Sequence, residues 1–144
     1  MKPQILALAA ALMAGSAVLA ADSPPAQPGQ TLLVTRQTIS GQPITAPSGP
    51  LQVTATISEL APGESTSVHK HPYLRFDYVL EGRLSVKNLA TGKTDIVGAG
   101  QFVVDPIDQW HQGTAIDGKR ARLLVIDQVP VGQTNLVLKG PPRP

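Results

Sequence analysis

"GESTSVHKHPYLRFDYVLEG" (residues 63–82) holds two of the three histidines of this 144-residue chain, one residue apart. Its second half, "RFDYVL" (75–80), is rich in aromatic and aliphatic residues and runs into a Glu81-Gly82 turn, so it reads as a strand. Side chains alternate along a strand, which puts His69 and His71 on one face. The third histidine, His111, belongs to a distant run. Two imidazoles on one face and a third from another strand can close three sides of a divalent ion, with Fe, Mn, Ni, Cu and Zn all suited to such ligands. Three protein ligands leave a position open for water or substrate, the mark of a reactive site rather than a structural one.

The same texture extends outward. Leu51, Val53, Ala55 and Ile57 alternate with Gln52, Thr54, Thr56 and Ser58, the period of a half-buried strand. Short runs follow at 83–88, 94–98, 101–105, 122–127 and 135–139, and "TLLVT" (31–35) is expected as a first strand. Glycine- or aspartate-containing turns separate them: Thr91-Gly92, Gly98-Ala99-Gly100 and Asp117-Gly118. With 14 prolines, 13 glycines and no convincing helical period after the first 20 residues, the chain is expected to be all-β, a sandwich or barrel. No internal repeat indicates a propeller or solenoid.

Gly63, five residues, His69-x-His71 and Gly82 form one spaced motif; Gly100, five residues, Pro106 and His111 form a second. The pair resembles the two signature motifs of the cupin superfamily, Gly-x5-His-x-His-x3,4-Glu-x6-Gly and Gly-x5-Pro-x-Gly-x2-His-x3-Asn, over roughly residues 51–127. The resemblance implies a single-domain double-stranded β-helix, or jelly-roll barrel, over 51–139, with a divalent transition metal inside held by His69, His71 and His111. There are three departures. The family's Glu is Arg75 here, the Gly after the proline is Asp108, and the Asn is Ala115.

Arginine has donors and no lone pair, so Arg75 cannot ligate an ion. An inward Arg75 needs a negative partner, because a buried unpaired charge is costly. Asp77, two residues on, shares its face and is the nearest candidate. Four roles stay open: an internal Arg75–Asp77 pair, ligation by Asp77 itself, capture of an anionic substrate group by Arg75, or an Arg75 at the barrel mouth in water. Gln109 shares a face with His111 and is a candidate for hydrogen bonding to substrate, which makes Arg75 and Gln109 the candidate catalytic residues. Trp110 faces the opposite way, and Tyr73 could line the entrance. Asp105 and Asp108 flank Pro106 and are expected to serve the turn.

The first residues, Lys2 followed by "ILALAAALMA" (5–14) and a small-residue end at Val18 and Ala20, have the layout of a secretory signal peptide over 1–20. Secretion, to a bacterial periplasm, is the expected localisation. "ADSPPAQPGQ" (21–30) opens a flexible leader, so 21–50 is leader plus first strand, and the tail 140–144 is expected to fray. No cysteine is present, so the core must hold the chain without disulfides. Charge is nearly balanced, 12 basic against 10 acidic residues without a basic run, which argues against a nucleic-acid partner. The expected partners are a small molecule and a second copy in a homodimer, with no membrane association once the signal is removed. Two functions fit: a metal-dependent enzyme of dioxygenase type, or a non-catalytic periplasmic protein that binds or senses a metal or small ligand.

Overall fold

The structure is a computed structural model and describes residues 29–140. Residues 1–28, which include the expected signal segment 1–20, and the tail from 141 lie outside the described residues. Nine strands follow in order: β1 (Leu51–Leu60), β2 (His69–Lys70), β3 (Leu74–Glu81), β4 (Arg83–Asn88), β5 (Thr94–Gly98), β6 (Phe102–Val104), β7 (His111–Ala115), β8 (Ala121–Pro130) and β9 (Val137–Leu138). No helix occurs among the described residues, so none crosses a membrane. The strands form a four-stranded sheet, β1-β8-β3-β6, and a five-stranded sheet, β5-β4-β7-β2-β9. Every strand pairing is antiparallel. The two sheets face each other without closing into one continuous ladder.

Leu60, Val79, Leu84, Val97, Ala115, Ala121, Leu123 and Val125 pack between the sheets as the core. They come from six strands, so the core forms only when both sheets are assembled. Gly82 makes the tight β3–β4 turn at φ +75°, and a Cβ there would collide with the carbonyl of Arg120.

Two expectations are corrected. Residues 31–35 form no strand, and Leu33 and Val34 are exposed. The ordered part of this region starts just after, where Gln37 bridges Pro43 and Ile39 donates to Val104 of β6. Gln42 then grips the loop after β6 with both ends of its amide: Nε2 donates to Ile107 O at 2.7 Å and Oε1 accepts from Ile107 N at 2.9 Å. Second, β1 forms as expected, but its alternation points the other way. Ser58 and Leu60 line the interior, so Val53 (61% exposed) and Ile57 (46%) turn outward with Leu51 and Ala55.

Candidate metal centre

β2 and β7 are neighbours in the five-stranded sheet, and their register sets His69 directly opposite His111. His71 follows two residues after His69, where the chain meets the loop after β6 in a parallel bridge to Ile107. The three rings stand 4.5–4.9 Å apart, centroid to centroid. One nitrogen from each lies within 4.8 Å of the others.

Main-chain carbonyls set the tautomers. His69 Nδ1 lies 2.7 Å from Ser67 O, His71 Nδ1 2.7 Å from Asn135 O, and His111 Nδ1 2.8 Å from Gln109 O. A carbonyl can only accept, so each Nδ1 carries its proton and donates. Nε2 is therefore the atom each ring offers to a ligand, the orientation a ligating imidazole needs. Burial pushes His69 down to about 4 and holds His111 below its ordinary value, so both rings are neutral at pH 7. Three pre-oriented imidazoles clustered this closely fit a transition metal ion.

His69 and His111 open onto a cavity of about 80 Å³ between the sheets, bedded on Leu60, Leu84, Val97, Leu123 and Val125. Arg75, Asp77 and Asp105 also line it. Arg75 points inward, and its partner is Asp127 on β8. Nε donates to Oδ1 at 2.8 Å and Nη2 to Oδ2 at 2.7 Å, a two-pronged pair across adjacent strands. The Arg75–Asp77 pair expected from the two-residue spacing is therefore not the ion pair that forms. Burial works against the Arg75 charge, but Asp127, then Asp77 and Asp105, outweigh it and raise its pKa further. The remaining guanidinium nitrogen, Nη1, donates to His71 Nε2 at 3.3 Å.

Asp77 Oδ1 is buried without a hydrogen-bond partner. Burial, then the charge of Asp105, pushes its carboxyl well above the ordinary value. Gln109 is not brought to the cavity: its side chain accepts from Asn88 Nδ2 at 2.7 Å, and only its carbonyl serves the site, by holding His111. Tyr73 lines a separate groove with Pro72 and Thr45. Trp110 lies under the Lys70 ammonium, 5.1 Å from ring centre to Nζ.

Asn135, unremarked in the sequence, joins the parts. Its carbonyl holds His71, its Nδ2 donates to Asp127 Oδ1 at 2.6 Å, and its Oδ1 accepts from Tyr73 N at 2.8 Å. The expected turn role of Asp105 also needs correction, because its carboxylate faces the histidines. Oδ2 stands 3.4 Å from His71 Nε2 and 3.9 Å from His111 Nε2.

The cupin domain family matches residues 56–127, half of the chain. The chain is a cupin. No curated protein matches it. Among solved structures, this cupin is similar to the polyketide cyclase RemF from Streptomyces resistomycificus, at 27% identity and a TM-score of 0.51, covering 61% of this chain and 62% of the cyclase. It also resembles an oxalate decarboxylase from Lactobacillus farciminis solved with formate, at 27% and 0.51, covering 60% of this chain and 26% of that one. An uncharacterised double-stranded β-helix protein from Klebsiella pneumoniae shares 17% identity, with a TM-score of 0.50 over 60% of this chain and 69% of its own. The cupin thus spans less than two thirds of the cyclase and about a quarter of the decarboxylase. Its departure at Asp108 is absorbed locally. Asp108 adopts φ +53°, the left-handed conformation that the family's glycine takes freely and aspartate tolerates.

Proposed function

We propose that this cupin is a metal-dependent enzyme acting on a small molecule, oxygenase-like in using an open ion held by His69, His71 and His111. The observation that carries the reading is the commitment of all three Nδ1–H groups to carbonyls, which leaves Nε2 as the ligating atom of each clustered ring. A bound ion would supply Lewis acidity and an open position for dioxygen, water or substrate. The chain's own groups do the rest. The apolar bed of Leu60, Leu84 and Val125 limits water, which strengthens polar contacts inside. Arg75, fixed by Asp127 and with Nη1 beside His71, places a fixed positive charge at the site for an anionic substrate group. That the two neighbours at 27% identity are named as a cyclase and a decarboxylase supports catalysis on small molecules in general, without choosing the reaction.

A second reading is a metal- or ligand-binding protein without turnover, favoured by the small cavity of about 80 Å³. Secretion, through the N-terminal signal segment, and a homodimer are part of the proposal under either reading. Oxygen uptake separates the two. The Fe(II)-loaded protein is screened against small phenols, diketones, thiols and carboxylic acids, with His111→Ala as control. Metal-dependent uptake lost in the variant is expected; tight binding without turnover across the panel would support the second reading.

A further inference from the structure

We propose that Asp105 is a fourth metal ligand, supplying from the loop after β6 the carboxylate that Arg75 has displaced from β3. The inference rests on the metal-site reading above and goes beyond its three histidines.

Strand register carries it. β6 pairs antiparallel with β3, with Phe76 opposite Val104 and Asp77 opposite Val103. One step further, Asp105 N donates to Arg75 O at 3.0 Å, so Asp105 lies across from Arg75. Cross-strand neighbours point to the same face. The carboxylate stands one strand over from Arg75 and faces two of the three histidines. Arg75 now has an aspartate on each side, Asp127 on β8 and Asp105 beyond β6. Only Asp127 is taken up by its fork.

The electron pairs point the same way. The Nδ1 atoms of His71 and His111 are taken by main-chain carbonyls, so Nε2 is the atom each ring offers to a ligand. Asp105 Oδ2 approaches these two at 3.4 and 3.9 Å. A carboxylate oxygen and two ring nitrogens set this close converge on a position that one cation can share. Arg75 Nη1 reaches only one of the three imidazoles, His71, at 3.3 Å. The other pairs remain to be matched, and an ion bound by three nitrogens and one oxygen matches them together.

The position of Asp105 is fixed from behind. Pro106 is fully buried, and Gln42 clamps Ile107 at both polar atoms. Asp108 N donates to His71 O at 2.7 Å, so the loop carrying Asp105 is tied to the segment carrying two of the histidines.

The test compares Co(II) and Zn(II) binding to the full chain and to Asp105→Asn, which keeps the shape and removes the charge. Affinity is read by chelator competition and ligand field by Co(II) absorption. Asp105→Asn is expected to lose at least the ten- to hundredfold that removal of a mere supporting group costs at metal sites. Its cobalt spectrum should also shift, and Asp105→Glu should recover part of the affinity. Unchanged affinity and spectrum in Asp105→Asn, with His111→Ala abolishing binding, would overturn the Asp105 assignment and leave the three-histidine site standing. Wild-type protein that binds neither metal would overturn both. If Asp105→Asn does not fold, a crystal structure of the zinc-loaded wild type decides: a carboxylate oxygen at roughly 2.0–2.2 Å from the ion supports the assignment, and one beyond about 3 Å ends it.

Discussion

Arg75 poses the sharpest problem at the scale of single residues, a permanent cation beside a site built for a cation. The structure resolves it by pairing. Asp127 takes two of its nitrogens, at 2.8 and 2.7 Å, in the geometry for which guanidinium and carboxylate are matched. Asp105 adds a second negative charge toward the histidines. Asp77 is the residue left over, a buried carboxyl with an unpartnered oxygen. Burial and then the Asp105 charge raise its pKa above the ordinary 3.8. A carboxyl raised on folding stabilises the fold fully below the unfolded value, and that contribution is lost as pH rises through the folded value. Asp77→Asn, which cannot ionise, should therefore be more stable than wild type at neutral pH. The expected gain in the metal-free chain is a few degrees in Tm, the shift that about 1 kcal/mol produces in a domain of this size. It should shrink as pH falls toward 3.8. A gain independent of pH, or a loss at pH 7, would mean that Asp77 carries a charge the fold uses.

Among the elements, β1 is the least settled. It is ten residues long, lies at the edge of the four-stranded sheet, and turns Leu51, Val53, Ala55 and Ile57 outward. An exposed edge with apolar side chains invites pairing with another chain. The proposed homodimer is expected to use this strand, which can pair antiparallel with its own copy about a two-fold axis. Sedimentation of wild type and of Ile57→Lys should show a dimer that the substitution shifts toward monomer. A wild-type monomer at micromolar concentration would remove β1 as an interface. The same strand shows how far the sequence could be read. Alternation along 51–58 is enough to find a strand, because period two is a local property. It distinguishes two faces without saying which is inside, since that depends on the sheet across the core. The histidines and Arg75 were legible through motif spacing. Asp105, Asp127 and Asn135 were not, because their roles come from register between strands far apart in the chain: Arg75 opposite Asp127, and Asp105 donating to Arg75. Asp105 beside Pro106 has the local look of a turn residue, and nothing within the loop contradicts it. Gln109 misled for a related reason. Sharing a face with His111 is a local fact, but Asn88 on the neighbouring β4 takes its side chain.

For the molecule as a whole, the site is where the two sheets meet. His69 and His111 come from the five-stranded sheet, Arg75 and Asp127 from the four-stranded sheet, and Asp105 from the loop that leaves β6. The segment before β9 locks them together through Asn135, and the segment before β1 holds the Asp105 loop through Gln42. The geometry therefore depends on the complete fold, and an ion bound there should stabilise both sheets at once. Elemental analysis of the purified wild-type protein and His111→Ala, each equilibrated with excess zinc and then dialysed, tests the convergence of the three imidazoles most directly. About one ion per chain in wild type, and little in the variant, is expected for an ion held by three imidazoles. Equal, substoichiometric metal in both would contradict a shared site.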